Sequence, residues 1–310
     1  MTDLAVVILT HDEEIHIERA LLSVSAIAKE VFVVDSFSRD RTVEIASALG
    51  AEVLRHPFQN YARQFQWALD NAPITAKWIL RLDADEVIEP ELAKEIAARL
   101  PPLADDVAGV NLKRRHVFLG RWIKHGGRYP LILLRIFRRG QGRIENRWMD
   151  EHMIVWGGET VTFENDFSDV NLNGLTFFTD KHNKYASREA VDVLIQKYRL
   201  DDSTDSLSVE GSGAQAAFKR WVKEKVYNRM PFWCGPLLYF SYRFVFQLGF
   251  LDGPEGIIYH FLQGFWYRFL VGAKIVEFER ELRGLEDGEA RLRALERTTG
   301  LRIRPPTAPS

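Results

Sequence analysis

Short apolar runs alternate with polar segments of helical periodicity through the first third of the chain. The runs predicted to be buried strands are Ala5–Thr10, Val31–Asp35, Ala51–Arg55 and Trp78–Asp83, and the predicted helices are Glu14–Ile27, Thr42–Leu49, Ala62–Asn71 and Pro90–Arg99. Such alternation is typical of βαβ units, whose strands lie side by side in a parallel sheet. Gly50 follows the second helix, where a residue in the left-handed conformation commonly ends a helix. The pattern predicts an α/β domain.

The alternation stops near residue 107, and strand-like pieces rich in arginine and glycine follow. These pieces are Gly109–Val117, Leu131–Arg138 and Glu159–Phe163, and a helix is predicted over Asp180–Leu200. The change of pattern predicts a mixed rather than a parallel arrangement in this part. We therefore expect residues 1–200 to form one domain with a mixed central sheet, made of the halves 1–107 and 108–200.

Composition excludes several classes of protein. The chain has 310 residues, a formal net charge of −2 and one cysteine, Cys234. One cysteine makes no internal disulfide and no thiolate metal cluster, so the cytoplasm is the expected compartment. A nucleic-acid-binding protein normally carries a strong basic excess, which is missing here. The unusual feature is an aromatic content of 12%, and much of it lies in the C-terminal part, where we expect Cys234 to pack.

Polar and acidic residues follow three of the predicted strands. His11-Asp12-Glu13-Glu14 follows the first strand, Asp35 ends the second, and Asp83-Ala84-Asp85-Glu86 follows the fourth. Ligands of open α/β sheets collect at the carboxyl ends of strands, and paired carboxylates there can hold a divalent cation that bridges to phosphates. Asp35 can accept from a pyrimidine N–H, and Glu13 from ribose hydroxyls. The alternative for the acidic tripeptide is capping of the next helix, which we favour for Asp40 and Thr42.

These motifs resemble the family 2 glycosyltransferases, which have the GT-A fold, a Rossmann-like nucleotide-sugar-binding domain. The residues that carry the resemblance are Val7–Glu14, Val33–Thr42 and Leu82–Glu86. The chain is similar, more narrowly, to the bacterial branch that builds lipopolysaccharide core, capsule or exopolysaccharide. Segments similar to recurring ones of that branch are Phe118–Trp122, His125–Gly127, Leu134–Gly140 and Leu248–Gly253, and the match extends to about Glu277.

The resemblance implies roles for the donor half, residues 1–107. Thr10, Glu13 and Asp35 are implied to contact the nucleoside of the donor, Asp83 to lie by the ribose and diphosphate, and Asp85 to bind Mn²⁺ or Mg²⁺, with Asp83 close to the same ion. The chain departs from the family at two positions. Asp12 stands where Asn is usual, and Phe37 stands where a small residue, often Gly, is usual.

An inverting transfer needs a base that withdraws the proton of the acceptor hydroxyl. Relatives place an acidic residue in a His-Glu pair at the position of Glu151, which we predict to be the base. Asp150 is the alternative, because it stands where the His would be and His152 follows. Many GT-A enzymes add a late histidine as a metal ligand, for which His152 and His182 are candidates. Surface exposure or packing is the alternative for either histidine.

The acceptor half, residues 108–200, contains a segment rich in Gly, Arg and aromatic residues, His116–Tyr129. The predicted acceptor-binding residues of this half are Arg115, just before the segment, and Trp122, His125 and Arg128 within it. Guanidinium groups suit an acceptor that carries phosphate, and Trp122 can stack on a sugar ring. The alternative is that most of these cations lie on a solvated strand face and that the ring only packs.

The remaining chain divides into a polar linker or loop at 201–216, a region at 217–280 and a tail at 281–310. The middle region contains the predicted basic helix Ala217–Arg229 and the aromatic stretch Pro231–Val276, whose charged residues make its apolar runs too short to span a membrane. Helical spacing predicts a helical hairpin that turns at Leu251–Pro254. An apolar hairpin beside a basic helix favours peripheral binding to a membrane surface, and packing on the catalytic domain or across a homo-oligomer interface is the alternative.

Together these features predict an inverting, metal-dependent glycosyltransferase at the inner face of the cell membrane. Its donor is a nucleoside-diphosphate sugar, with a UDP-sugar preferred, and its acceptor is a glycan or lipid-linked glycan of the lipopolysaccharide type. One alternative is a nucleotidyltransferase or phosphotransferase, although no glycine-rich phosphate loop is present. Another is an inactive, membrane-peripheral protein that binds sugar nucleotides.

Overall fold

The computed structural model describes residues 2–145, 152–200, 231–301 and 303. The chain divides into two compact units. The first contains Met1–Leu172 and Leu251–Gly256, and the second contains Asn173–Phe250 and Ile257–Ser310. The predicted linker 201–216, the basic helix Ala217–Arg229 and most of Arg302–Ser310 lie outside the described residues.

The first unit contains eleven described strands and four described helices in an α/β order. The strands are β1 (Leu4–Thr10), β2 (Glu30–Asp35), β3 (Glu52–Arg55), β4 (Trp78–Asp83), β5 (Glu86–Ile88), β6 (Val107–Phe118), β7 (Arg121–Trp122), β8 (Leu131–Arg138), β9 (Gly142–Ile144), β10 (Met153–Val155) and β11 (Glu159–Val170). The helices are α1 (Ile17–Val24), α2 (Thr42–Ala48), α3 (Tyr61–Asn71) and α4 (Pro90–Arg99).

The central sheet is mixed, as predicted. Its strand order is β3-β2-β1-β4-β8-β6-β11-β5, with β7 paired to β6. Strands β3, β2, β1 and β4 are parallel, β8 is antiparallel to both β4 and β6, and β11 is parallel to β6. The carboxyl ends of β1, β2, β4, β6 and β11 therefore share one edge of the sheet.

Both faces of this sheet are covered, as the continuous apolar runs of its strands require. Alternate residues of β1 enter different cores: Leu4, Val6 and Ile8 pack with α1 and α4, whereas Ala5 and Val7 pack with α3. Side chains alternate across a strand, so burial on both faces needs an apolar residue at every position. Gly50 has φ +83°, which confirms the predicted left-handed end of α2.

Two predicted element bounds are wrong for identifiable reasons. Helix α1 begins at Ile17 rather than Glu14, because the backbone N–H groups of Asp12, Glu13 and Glu14 bond to side chains in the loop after β2 and at the start of α2. Strand β11 continues to Val170 rather than ending at Phe163. Its polar middle hides it from a search for apolar runs, although Glu95 of α4 accepts the backbone N–H groups of Glu164 and Asn165 there.

The second unit is helical in its described parts. Its α-helices are α5 (Leu175–Tyr198), α6 (Cys234–Ser241), α7 (Gly253–Tyr259), α8 (Tyr267–Glu281) and α9 (Gly288–Thr299). Helix α6 continues as a π-helical turn over Tyr242–Phe246, and a π-helical segment over His260–Trp266 joins α7 to α8. The first residues of α7 belong to the first unit. Ala190 and Leu194 of α5 form a core with Phe278, Leu282 and Leu295.

This core corrects two predicted boundaries. Helix α5 belongs with the C-terminal helices rather than with a domain 1–200, and the predicted tail 281–310 contains the packed helix α9. The aromatic stretch is helical as predicted, with Phe240 packed against Phe261 and Phe265. None of the helices among the described residues has the length and apolar character that crossing a membrane requires.

Candidate active site

Asp35 organises the loop that follows β2. Its carboxylate is fully buried and accepts hydrogen bonds from Thr10 Oγ at 3.2 Å, from Ser38 N–H at 3.0 Å and from the Ser38 hydroxyl. An ionised carboxylate has about four acceptor positions, so capacity for one further donor remains. The structure thus brings the predicted nucleoside residues Thr10 and Asp35 into direct contact.

The loop after β1 is cross-linked to the loop after β2. Asp12 N–H donates to Ser38 Oγ at 2.9 Å, and the Asp12 carboxylate accepts Arg39 N–H at 2.7 Å. Asp12 has φ +56° and Phe37 has φ +60°. Asn and Asp tolerate this left-handed conformation, so Asp12 is a mild departure from Asn, whereas Phe37 occupies a conformation that suits glycine.

Glu13 is held by a buried histidine that sequence reasoning missed. His16 is 1% exposed, its Nε2 accepts Leu172 N–H at 2.9 Å, and its Nδ1 lies 2.6 Å from Glu13 Oε2. A backbone N–H can only donate, so Nε2 carries the lone pair and Nδ1–H donates to Glu13. His16 thereby fixes one oxygen of Glu13, whose side chain is 31% exposed.

Asp83 lies in a buried network of charges at the end of β4. Tyr61 OH donates to its carboxylate, and Arg135 Nη2 lies 3.6 Å from Asp83 Oδ2 and 2.5 Å from Glu86 Oε1. Burial opposes ionisation of Asp83, but the charges of Arg135 and Arg81 and the Tyr61 hydroxyl outweigh it and hold the Asp83 pKa below its usual value. Burial, opposed by Arg135 and reinforced by Asp83, raises the pKa of Glu86 to about 8. The negative charge is therefore concentrated on Asp83.

Asp85 is positioned by the end of β11. Asn171 Nδ2 donates to Asp85 Oδ2 at 3.0 Å, and Val170 N–H donates to the Asp85 carbonyl oxygen at 2.9 Å. Arg19 Nη2 in turn donates to Val170 O at 2.9 Å. These contacts fix the Asp85 carboxylate at the edge of the sheet that also carries Glu13 and Asp83.

The donor atoms here suit a hard divalent cation, since carboxylate oxygens are its preferred ligands. The described residues contain no group of three His, Cys, Asp or Glu side chains arranged to hold a metal. His152 is exposed beside β10 and does not complete such a group. His182 donates Nδ1–H to Phe178 O at 2.8 Å and stacks on the Phe178 ring, so it is a packed histidine. Asp85 could hold an ion only together with oxygens from a ligand, from water or from Asp83.

The predicted acceptor residues lie on β6, β7 and the following loop, where Arg115 and Trp122 are in contact. Arg115 Nε donates to Asp166 at 2.7 Å, and Tyr129 OH donates to the same carboxylate at 2.9 Å. The Arg115 guanidinium lies 4.8 Å from the Trp122 ring, whose edge-on partner is Tyr129 at 5.0 Å. Arg115 and Trp122 are therefore held in place, which a purely solvated strand face would not require.

His125 pairs with a residue 127 positions away. Its Nδ1 lies 2.6 Å from Asp252 Oδ1, and Asp252 also accepts the backbone N–H groups of His125 and Lys124. Asp252 is 2% exposed and belongs to the same unit as His125. Arg128 is half-buried in the same loop, and its backbone N–H donates to His125 O at 3.3 Å. The predicted base Glu151 and its alternative Asp150 lie outside the described residues.

Comparison with known proteins assigns the family. Residues 5–170 match the family model described as Glycosyl transferase family 2, which is more than half of the chain. The chain belongs to glycosyltransferase family 2. This confirms the predicted family and, with the sheet order, the predicted α/β fold class of a GT-A domain followed by aromatic-rich helices.

Curated relatives of this family 2 chain are bacterial. It is 47% identical over 89 residues to an uncharacterized glycosyltransferase of Rickettsia bellii, covering 29% of this chain and 30% of that protein, so it spans about a third of that relative's length. Another uncharacterized glycosyltransferase, RP128 of Rickettsia prowazekii, is 25% identical over 89% of this chain and 87% of its own length. The lipopolysaccharide core biosynthesis glycosyltransferase LpsC of Rhizobium meliloti is 27% identical over 46% of this chain and 53% of its own.

Among solved structures, glucosyl-3-phosphoglycerate synthase of Mycobacterium tuberculosis, in complex with Mn²⁺, UDP and glucosyl-3-phosphoglycerate, is similar with a TM-score of 0.31. The two are 22% identical, over 36% of this chain and 43% of that one.

Sequence reasoning found the acidic motifs but missed the residues that orient them. His16, Arg135, Asn171 and Asp252 act over long sequence separations, and none lies in a motif whose spacing reports its partner. A polar residue inside an apolar pattern was the available signal, and it fits Arg135 on β8 best. Such a residue needs a buried partner, but the sequence does not say which one.

Proposed function

We propose that this chain is an inverting, metal-dependent glycosyltransferase that uses a nucleoside-diphosphate sugar, preferably a UDP-sugar. The observation that carries the proposal is that Glu13, Asp35, Asp83 and Asp85 lie at or just after the carboxyl ends of three parallel strands, which share one edge of the sheet. Membership of family 2 supports the reaction class. The missing glycine-rich phosphate loop argues against a nucleotidyltransferase.

The donor side is assigned residue by residue. Thr10 and Asp35 face the base, Glu13 accepts from the ribose hydroxyls, and Asp83 and Asp85 face the ribose and diphosphate. Mn²⁺ or Mg²⁺, when bound at Asp85, neutralises charge on the departing diphosphate. Arg135 and Tyr61 keep Asp83 ionised and hold its carboxylate in one orientation.

The acceptor side completes the transfer. Glu151 is the proposed base that takes the acceptor proton as its oxygen attacks the anomeric carbon opposite the leaving diphosphate, and Asp150 is the alternative. Arg115, Trp122, His125 and Arg128 bind the acceptor. We assign a glycan or lipid-linked glycan of the lipopolysaccharide type to this site, which the name of the Rhizobium relative supports.

The test is transfer from a panel of UDP-sugars to octyl glycosides and to deacylated lipopolysaccharide core, followed by release of UDP, with Mn²⁺ or Mg²⁺ present. We expect UDP release that depends on acceptor and stops in EDTA. Undiminished activity in EDTA would refute the metal role. Binding of UDP-sugars without transfer to any acceptor would favour the inactive binding protein. Release of UMP would favour a phosphotransferase, and release of sugar 1-phosphate would favour a nucleotidyltransferase.

We also propose that the second unit binds a membrane surface peripherally. Four apolar side chains spaced along α6 and its π-helical continuation are exposed, and they are Leu238, Tyr242, Val245 and Phe246. Phe246 is 76% exposed and Leu238 is 58% exposed, which is unusual for large apolar side chains that follow helical spacing. Aromatic residues suit the membrane interface.

Sedimentation with vesicles of phosphatidylglycerol and phosphatidylcholine tests this surface. We expect the double variant Leu238→Ser, Phe246→Ser to lose most of the binding, while Leu22→Ser, which changes a 54% exposed leucine on α1, binds like the wild type. Equal binding by all three proteins would exclude this surface. A concentration-dependent molecular mass abolished by the double variant would indicate an oligomer interface instead.

A further inference from the structure

We propose that His125 Nε2 accepts a hydrogen bond from a hydroxyl of the acceptor, and that buried Asp252 is the positioning residue that presents it. This inference rests on the proposed function and adds a partner residue from a distant segment, Leu251–Gly256, which belongs to the same unit. It also specifies the chemistry of the contact, namely a neutral imidazole that receives O–H rather than a cation that receives phosphate.

The tautomer of His125 follows from its partner. Asp252 Oδ1 lies 2.6 Å from His125 Nδ1, and an ionised carboxylate accepts hydrogen bonds only. Nδ1 therefore carries a hydrogen, and when the ring holds a single proton its Nε2 carries the lone pair. Nε2 has no hydrogen-bond partner among the residues that the structure describes, and the side chain is 34% exposed. The ring thus offers one acceptor atom toward solvent.

Asp252 is buried and is held by several hydrogen bonds rather than by a single surface contact. Its oxygens also accept Lys124 N–H at 3.2 Å and His125 N–H at 3.0 Å, so both the backbone and the ring of His125 are fixed. The next residue, Gly253, has φ +74°, and a Cβ there would lie 3.4 Å from the Arg121 guanidinium carbon. The left-handed φ of Gly253 therefore favours glycine, whereas the Cβ itself would make an ordinary van der Waals contact.

The loop that contains His125 is connected to the acidic edge of the sheet. Ile123 N–H donates to His116 O at 2.9 Å, and His116 Nδ1 lies 3.1 Å from Asp169 Oδ2 on β11. Asp169 pairs with Glu86, the residue after Asp85. Because β4 and β6 run in the same direction, their carboxyl ends place this loop on the side of the donor motifs.

The aromatic, imidazole and cationic side chains of the loop fit a ligand with a hydroxyl-bearing ring. Trp122 and Tyr129 supply ring surfaces, and their mutual contact at 5.0 Å holds them in place. A neutral imidazole lone pair accepts from O–H but repels a phosphate oxygen, so the anionic groups of an acceptor would face the exposed cations Arg121 and Lys124 instead. A sugar with an attached anionic group matches both features.

Two substitutions separate the two nitrogens of His125. In His125→Asn the side-chain amide keeps a donor close to the Nδ1 position for Asp252 but leaves nothing at Nε2. In His125→Gln the amide reaches the Nε2 position and can accept there. With the octyl glycoside or core oligosaccharide that the wild type uses fastest, we expect His125→Asn to raise the acceptor KM about three- to tenfold. The donor KM and kcat should stay within about twofold, and His125→Gln should recover most of the loss.

Asp252→Asn removes the charge and places an NH2 group where one carboxylate oxygen accepts His125 N–H, so we expect it to raise the acceptor KM as His125→Asn does. A fall in kcat of a hundredfold or more in His125→Asn, with acceptor KM unchanged, would overturn the proposal in favour of proton transfer by His125. If acceptor KM and kcat are both unchanged in His125→Asn, the proposal is overturned, because the contact between His125 and Asp252 then only holds two segments of the chain together. If the wild type transfers to no acceptor in the panel, the proposed function fails as well, whereas the two outcomes above leave it intact.

Discussion

The contact between His16 and Glu13 offers the sharpest test of the proposed donor site, because the two ring nitrogens of His16 have different partners. Nδ1–H donates to Glu13, and Nε2 accepts Leu172 N–H. His16→Gln can still accept from Leu172 but has no donor near Glu13. His16→Asn is the matched control, since its amide keeps a donor near the Nδ1 position and loses the acceptor for Leu172.

The magnitude follows from what Glu13 loses. A hydrogen bond to a charged group contributes about 1.5–3 kcal/mol, and its loss in His16→Gln leaves the 31% exposed Glu13 side chain disordered or turned toward water. If Glu13 accepts from ribose hydroxyls, the binding energy at risk is about 1 kcal/mol for one neutral hydrogen bond, or roughly fivefold in Kd. His16→Asn instead removes the acceptor of Leu172 N–H, and the loss of this part-buried hydrogen bond costs about 0.5–1.5 kcal/mol of folding stability.

Calorimetry with Mn²⁺ compares UDP with 2′,3′-dideoxyuridine diphosphate, which lacks both ribose hydroxyls. We expect the wild type and His16→Asn to prefer UDP by a similar factor and His16→Gln to lose most of that preference. Equal weakening of both nucleotides by His16→Gln would refute the reasoning, because it would show a general packing role. The preference should also disappear in Glu13→Ala, and His16→Gln should then add nothing further.

Three further substitutions test separate parts of the site. Asp85→Asn should abolish Mn²⁺-dependent binding of UDP with the unfolding temperature unchanged, and retained metal dependence would contradict its role as the ligand. The pKa of Glu86 is raised to about 8 from the usual 4.5, so between these pH values the folded state binds a proton that the unfolded state has released. The contribution of Glu86 to folding stability therefore falls as pH rises through this range, by at most about 1.4 kcal/mol per pH unit. Glu86→Gln should remove that slope in urea unfolding near pH 6 and pH 8, and a slope identical to that of the wild type would contradict it. Phe37→Gly should relieve the backbone at φ +60° and stabilise the protein by about 1 kcal/mol, whereas destabilisation would show that the exposed ring makes contacts of its own.

The sequence predicts the α/β part well because its strands are buried on both faces. Trp78–Asp83, Leu131–Arg138 and Pro90–Arg99 have the predicted bounds, since apolar runs and a proline at a helix start are local signals. Strand β11 was predicted at less than half its length, because its middle is stabilised by Glu95 from another element. Local patterns do not report such partners.

The same distinction applies to the site. Acidic residues at strand ends are visible in the sequence, because sheet topology alone brings Asp35 and Asp83 to one edge. The residues that orient Asp83 and Glu13 are not visible, because Arg135 bonds to Glu86 49 positions away and His16 is fixed by Leu172, 156 positions away. Placement by topology can be predicted from periodicity, whereas orientation by tertiary hydrogen bonds cannot.

The end of β11 shows why residues 1–107 do not form a donor site by themselves. Val170 N–H bonds to Asp85, Asn171 bonds to the Asp85 carboxylate, and Leu172 N–H fixes the tautomer of His16. Three consecutive residues thus orient both the predicted metal ligand and, through His16, the predicted ribose contact Glu13. A division into donor and acceptor halves describes where the motifs lie, but the geometry of the donor motifs depends on a strand that the acceptor half supplies.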